Sequence, residues 1–311
     1  MLDITLLGTG GMMPLVNRYL TSCLIKYNSV NILIDCGEAT QIALRNANES
    51  SKNIDVICIT HVHADHISGI VGMLLLMSNQ GKTSPLTIIG PKGIRNIVEK
   101  LKVIAPALTY TIKYVEISET ETSYKLGEIL NNKKFNDLTI NAFRVLHKIT
   151  CYGYSIKLDR LPKFNVEKAE SLNIDKKYWN RLQHGETLTI DNIEYTPDMV
   201  MDEVRRGLKF VYVTDTRPCK SIYKYTIDAD LFICEGMYGD EVDLANAIEK
   251  KHMLMSEAAL IAKKSGVKTL WLTHYSPAMT NPKMYKDTIR NIFKNTIVST
   301  DGQKTCLKFD N

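Results

Sequence analysis

Short runs of β-branched and other apolar residues recur along the first half of the chain: "DITLLGTG", "SCLIKY", "VNILIDCG", "DVICIT", "PLTIIG", "TYTIKYVEI" and "LTINAFRVLH". A second series follows residue 150, with "CYGYSIKL", "FVYVTDT", "DLFICEG" and "TLWLTHYS". Short apolar runs bounded by Gly, Asp, Asn or Thr read as strands. Between them, apolar positions fall at helical spacing over 39–46, 67–79, 93–102, 167–172, 256–264 and 282–293. Strands cluster at the start of each half and helices follow, which predicts an α/β fold with sheets packed inside and helices outside. One stretch breaks the rhythm. Residues 158–187, "LDRLPKFNVEKAESLNIDKKYWNRLQHGET", are polar and carry both charge signs. They read as an excursion from the main body of a single domain spanning 1–311, with a long surface loop bearing one helix as the competing reading.

Composition narrows the class. A chain of 311 residues suits one large two-layered core or two modest ones. With 44% hydrophobic and 23% charged residues it lacks the signature of disorder. A net charge of +5 permits an anionic partner without naming one. The seven cysteines are odd in number and contain no C-x-x-C pair, which argues for a reducing compartment over a disulfide framework. The start, "MLDITLLGTGG", lacks the pattern of a signal peptide, and the longest apolar run, "IVGMLLLM", is too short to span a bilayer. The expectation is a soluble, cytoplasmic protein with no membrane association.

The stretch "ITHVHADHISG" crowds three of the seven histidines and an aspartate into six positions. His61 and His63 lie two apart and face one side of an extended segment. Asp65 and His66 fall where a helical pattern begins, which turns them to another side. One loop can thus offer two imidazoles to one cation and a carboxylate with an imidazole to a second. Other candidates follow strand-like runs: "AFRVL" ends at His147, "FVYVT" at Asp215 and "TLWLT" at His274, as "VICIT" ends at His61. Loops at strand ends are where a rigid scaffold carries chemistry, so these four ends are predicted to converge. Nitrogen and oxygen donors without thiolates suit Zn2+ and tolerate Mn2+ or Fe2+. Asp215, with two oxygens to share, is the natural bridge. His184, in the polar excursion, reads as an exposed residue. The Gly8-Thr9-Gly10-Gly11 loop lacks the Lys-Ser/Thr ending of a phosphate cradle and reads as a tight turn beside the site.

The H-x-H-x-D-H pattern of His61, His63, Asp65 and His66 resembles the signature of the metallo-β-lactamase superfamily, which implies an αββα sandwich holding two metals at one edge. Further segments, "LLGTGGMMP", "ILIDCGEATQ", "HKITCYGYSI", "VTDTRP", "LTHYSP" and "HMLMSEAALIAKKSGVKTLWLTH", resemble the ribonuclease Z family in order from about residue 5 to 277. That resemblance implies a zinc-dependent endoribonuclease. It would cleave precursor tRNA at its 3′ end by hydroxide attack on a phosphodiester, leaving a 3′-hydroxyl on the tRNA. It implies two Zn2+ per chain: one on His61, His63 and His147, the other on Asp65, His66 and His274, with Asp215 bridging. Asp65 would hold a proton as well as a metal, His252 would be a catalytic histidine, and Glu235 the acid that orients it. A homodimer is also implied, and the excursion falls where the family carries a tRNA-binding arm. Within it Lys163, Lys168, Lys176, Lys177 and Arg181, with Tyr178 and Trp179, are candidates to meet RNA, as is Arg18 near the site mouth. The chain departs from the family pattern at Cys234-Glu235-Gly236-Met237-Tyr238, at Asn17-Arg18, and at Asp175-Lys176-Lys177, where a Gly-Pro step is usual. Two other readings stay open: a phosphodiesterase or lactonase-type hydrolase of small molecules, and a non-catalytic RNA-binding protein.

Overall fold

Each of the strand-like runs becomes a strand. In the computed structural model, which describes residues 1–310, the chain first lays down β1 (Leu2–Gly8), β2 (Ser22–Tyr27), β3 (Val30–Ile34), β4 (Ile54–Cys58), β5 (Leu86–Pro91) and β6 (Ile112–Ile117). Next come β7 (Glu121–Lys125), β8 (Leu138–Arg144), β9 (Tyr152–Arg160), β10 (Leu188–Ile190) and β11 (Ile193–Tyr195). The last are β12 (Arg205–Val213), β13 (Leu231–Glu235), β14 (Leu270–Thr273), β15 (Thr296–Val298) and β16 (Gln303–Leu307). One sheet has the order β16-β1-β2-β3-β4-β5-β6, and the second β15-β14-β13-β12-β9-β8-β7. In the first, β3 to β6 run parallel, and in the second β12 to β15 do.

Both sheets are buried on two faces, as parallel strands require. Leu24, Leu33, Ile57 and Ile88 pack with the helix residues Ile70, Leu74, Met77 and Val98. Their strand neighbours Cys23, Ile25, Ile32, Ile34, Val56 and Ile89 are buried on the opposite face. In the second sheet Val211, Phe232, Cys234 and Leu272 pack with Ala258, Ile261 and Ala262 of the helix Met255–Lys264. Hydrogen bonds join the sheets: Tyr154 Oη donates to Ile59 O at 2.8 Å, and the Thr21 and Thr273 hydroxyls meet at 2.6 Å. The result is the αββα sandwich expected from the sequence.

Residues Leu158–Gly207 form a second compact unit, which begins at the excursion and runs on to Gly207. Its helices Val166–Ser171 and Lys176–Gln183 and the β10–β11 hairpin close over a small core of Ala169, Ile174, Leu182, Leu188 and Val200. Trp179 packs against that core and donates from its indole to Ile174 O at 2.8 Å. Asn165 and Asp175 cap the two helices through their side chains.

The helix expected over 67–79 is broken in two, Ala64–Ile67 and Ile70–Asn79. The cause is tertiary: the Cys36 N–H donates to His66 O and the Gly69 N–H to Cys36 O, so the segment after β3 clamps the histidine motif into its own short turn. The expected helix over 282–293 is a 3-10 turn, Pro282–Tyr285, followed by Lys286–Ile292. Among the described residues no helix is long and apolar enough to cross a membrane.

Candidate metal centre

The four strand ends converge. His61 lies beyond β4, His147 beyond β8, Asp215 beyond β12 and His274 directly after β14. Asp215 and His274 leave their strands with left-handed backbones, φ 46° and 56°, and Asp35 does the same after β3 with φ 60°. Such conformations are uncommon outside glycine, though Asp and His tolerate them better than most, and they cost roughly 1–3 kcal/mol each. Each stands just past the end of its strand, beside the cluster.

Asp215 sits at the centre, buried. Its Oδ2 lies 3.6 Å from His61 Nε2 and 3.8 Å from His147 Nε2, while Oδ1 lies 3.1 Å from both His66 Nε2 and His274 Nε2. Asp65 Oδ2 is 3.5 Å from the Nε2 of both His66 and His274. Imidazole nitrogens face one another: His61 Nε2 and His63 Nδ1 at 3.0 Å, His63 Nδ1 and His147 Nε2 at 3.3 Å, His66 Nε2 and His274 Nε2 at 3.2 Å. Donor atoms of His61, His63, His147 and Asp215 all lie within 4.8 Å of one another, as do those of Asp65, His66 and His274, and those of Asp215, His252 and His274. Asp215 Oδ1 is buried without a hydrogen-bond donor among the described residues. A buried carboxylate oxygen surrounded by several imidazole nitrogens and a second carboxylate is an environment a divalent cation satisfies, so this donor set fits one.

The electrostatics follow from crowding. Burial would raise the Asp215 carboxyl, but His274, His66 and His61 overcome it and hold it well below the usual carboxylate range. Burial also opposes charge on His66, yet Asp215, Asp35 and Asp65 raise it well above an ordinary histidine. His61 is driven well below by burial and by its neighbour His66.

A supporting layer holds these groups. Asp35, fully buried, accepts from His66 Nδ1 at 2.8 Å, from Thr60 N at 2.8 Å and from Thr60 Oγ1 at 3.0 Å, so it fixes both the His66 ring and the start of the motif. Met12 N–H donates to Asp65 Oδ2 at 2.8 Å. Gly11 lies so close to His274 that a Cβ there would stand 2.7 Å from Cε1. The glycine-rich loop is thus a wall of the site, stitched down by Gly11 N to Tyr275 O at 3.0 Å and Tyr275 N to Thr9 O at 2.8 Å.

His252 meets Glu235 through Nδ1 at 3.1 Å. Burial would lower its pKa, but Glu235 raises it to about 9. Glu235, fully buried, also accepts from Met253 N at 3.1 Å and from Thr216 N, so it links the Asp215 strand end to the His252 loop. Arg217 completes that link: it donates to His252 O at 2.7 Å and pairs with Glu257, and its N–H donates to Leu146 O.

The sequence reading singles out none of Asp35, Thr60, Arg217 and Glu257. Asp35 follows the apolar run "NILI" as Asp215 follows "FVYVT", so the strand-end rule reaches it; Arg217 and Glu257 lie inside the segments "VTDTRP" and "HMLMSEAAL", but neither ends an apolar run. Arg18 donates to Ser276 O at 3.3 Å and Thr280 O at 3.1 Å, with its guanidinium 5.7 Å from the Tyr275 ring centre. In the second unit Lys177 pairs with Asp175 at 3.3 Å, Lys176 lies 5.6 Å from the Trp179 ring centre, and exposed His184 turns its Nδ1 to Asn180 O.

A family model described as Anti-Pycsar protein Apyc1 matches residues 2–204. A relative named Ribonuclease Z, from Lachnospira eligens, is 49% identical over 310 residues, covering 100% of this chain and 99% of its own length. Among solved structures, the metallo-beta-lactamase fold protein YhfI from Bacillus subtilis aligns with a TM-score of 0.69 at 19% identity over 98% of each chain. The short form of human tRNase Z aligns with a TM-score of 0.68 at 22% identity, over 99% of this chain and 100% of that one.

Proposed function

The chain belongs to the ribonuclease Z family and, over residues 2–204, to the family described as Anti-Pycsar protein Apyc1, and from that membership we propose that it is a metal-dependent endoribonuclease cutting precursor tRNA at its 3′ end. The observation that carries the reading is the juxtaposition of a shared-carboxylate cage with a hydrogen-bonded His252–Glu235 pair at its border. His61, His63 and His147 would hold one cation, and Asp65, His66 and His274 the other. Asp215 would lend one oxygen to each, as its Oδ2 and Oδ1 distances favour. The donor set suits two Zn2+ per chain and accepts Mn2+ or Fe2+. Bound there, such ions make water acidic near neutral pH and offset charge on the phosphoryl oxygens.

The protein's own groups supply position and protons. Asp65, anchored by the Met12 N–H, accepts the proton of the attacking water. Glu235 occupies His252 Nδ1 and so leaves Nε2 to serve the substrate. As the water oxygen adds to phosphorus and the P–O3′ bond breaks, His252 gives its proton to O3′. The products are a 3′-hydroxyl on the tRNA and a 5′-phosphate on the trailer. The Leu158–Gly207 unit would be the arm that holds the tRNA body, with Lys176 and Lys177 meeting phosphates. Arg18, with only some of its five N–H groups committed, has donors left for another. The reading carries with it a cytoplasmic homodimer.

The test is cleavage of a 3′-extended precursor tRNA with the cut mapped, with and without a chelator. Chelator-sensitive cutting at the mature 3′ end is expected. Turnover of bis(p-nitrophenyl) phosphate with no cut in the precursor would replace this reading with a small-molecule phosphodiesterase.

A further inference from the structure

Beside the cage lies a cavity of about 320 Å3 whose lining includes Met12, Tyr238, Lys250, Ser276, Met279 and Tyr285. Its walls are continuations of segments that carry site groups. Met12 holds Asp65 through its N–H. Tyr238 lies three residues past Glu235, Lys250 two before His252, and Ser276 two past His274. The Ser276 N–H donates to Met237 O at 3.1 Å and the Met255 N–H to Tyr238 O at 2.8 Å, so the walls are tied to one another as well as to the site.

The lining is chemically mixed. Tyr238 and Tyr285 are half-buried, Met12 and Lys250 exposed. The Tyr285 ring lies against the bare backbone of Gly239, where a Cβ would come within 2.2–2.5 Å of three ring atoms. A side chain there would push the ring away, so the glycine sets where the aromatic surface stands. The same lining holds three polarisable thioethers, from Met12, Met237 and Met279, with the Asn246 amide, the Asp243 carboxylate and the Lys250 ammonium. The volume is at the lower end of the roughly 300–1,000 Å3 typical of ligand pockets.

We propose that this cavity receives the base of a nucleotide next to the scissile phosphate, stacked on Tyr285. The inference rests on the RNA-cleaving reading and extends it to a recognition site. Single-stranded RNA is read by splaying bases onto aromatic side chains and hydrogen-bonding their edges, which is what a ring flanked by an amide and an ammonium offers. Stacking would also fix the phosphate relative to the cage, since the walls and the site groups share their backbone.

The test uses full-length, metal-loaded protein and three precursors: the natural one, and two with an abasic residue placed immediately 5′ or immediately 3′ of the cut. One abasic precursor is expected to lose roughly 5- to 100-fold in kcat/KM with wild-type protein, and which one identifies the bound nucleotide. Tyr285→Ala should lose the same factor on the natural precursor, keep its metal content, and cleave that abasic precursor at the wild-type's own abasic rate. Tyr285→Phe should restore the natural rate. The assignment is overturned if both abasic precursors are cut like the natural one, or if the losses from Tyr285→Ala and the abasic site multiply. Should wild-type protein cut no precursor at all, the RNA reading fails and the pocket's assignment falls with it; precursor cutting that ignores base and tyrosine sinks only the pocket.

Discussion

Gly11→Ala tests whether the glycine loop builds the cage. The new methyl would stand 2.7, 2.8 and 3.0 Å from Cε1, Nδ1 and Nε2 of His274. Carbon atoms in ordinary contact keep about 3.5–4.0 Å, so the ring must retreat by roughly 1 Å or the loop must lift. Neither is easy. The ring is buried with Nε2 3.1 Å from Asp215, and the loop is pinned by the Gly11–Tyr275 and Thr9–Tyr275 backbone bonds. Misplacement on that scale costs on the order of 10²-fold in rate. It should also weaken metal binding roughly 10- to 100-fold, equivalent to about 1.4–2.8 kcal/mol. Chelator competition on the purified variant reads the affinity directly, and precursor cleavage reads the rate. Gly10→Ala is the control, because a Cβ there meets the flexible Arg18 side chain at 3.3 Å and Tyr19 O at 3.1 Å, away from His274. A Gly11→Ala protein with wild-type affinity and turnover would show that the close approach has no bearing on the ligand.

Three other substitutions separate the roles. Asp215→Ala should strip metal from both halves of the cage and abolish turnover; full metal content by elemental analysis would rule out its shared position. Asp35→Asn removes the charge that holds His66 Nδ1, and chelator titration should show metal binding weakened roughly 10- to 100-fold; unchanged affinity would mean the ring is oriented by packing alone. His252→Ala should retain its metals yet lose roughly 10²–10⁴ in rate, and undiminished RNA cleavage would remove it from the reaction.

Much of the cage can be read from the chain because its members share a local signal, an apolar run ending in His or Asp. His61, His147, Asp215 and His274 all carry it, and the structure brings them together. Asp35 carries it too, but its meaning depends on His66, 31 residues away, and surfaces only when the Cys36 backbone clamps the motif. Arg217 and Glu257 lie 40 residues apart, and neither belongs to an apolar pattern. Helices escape the pattern where they are short and bury few residues, as at Lys220–Thr226, which buries Ile222 and Thr226, and at the mostly exposed Leu244–Lys250, which buries Ala247. The Leu158–Gly207 unit hides a small core because its apolar members, Ala169, Ile174, Leu182, Leu188 and Val200, are spread thinly over helices, strand and loops and run beyond the polar excursion.

The left-handed backbones at Asp35, Asp215 and His274 restrict what these corners can become. A branched residue such as Val or Thr would be penalised there by its own main chain before its lost chemistry counted. The vocabulary open to drift is therefore close to Asp, Asn, His and Gly, and swapping one donor for a longer acid would demand that a strand be re-ended as well. Because each of these residues follows a strand of the sandwich, emptying the cage of any bound ion is expected to leave the sandwich standing.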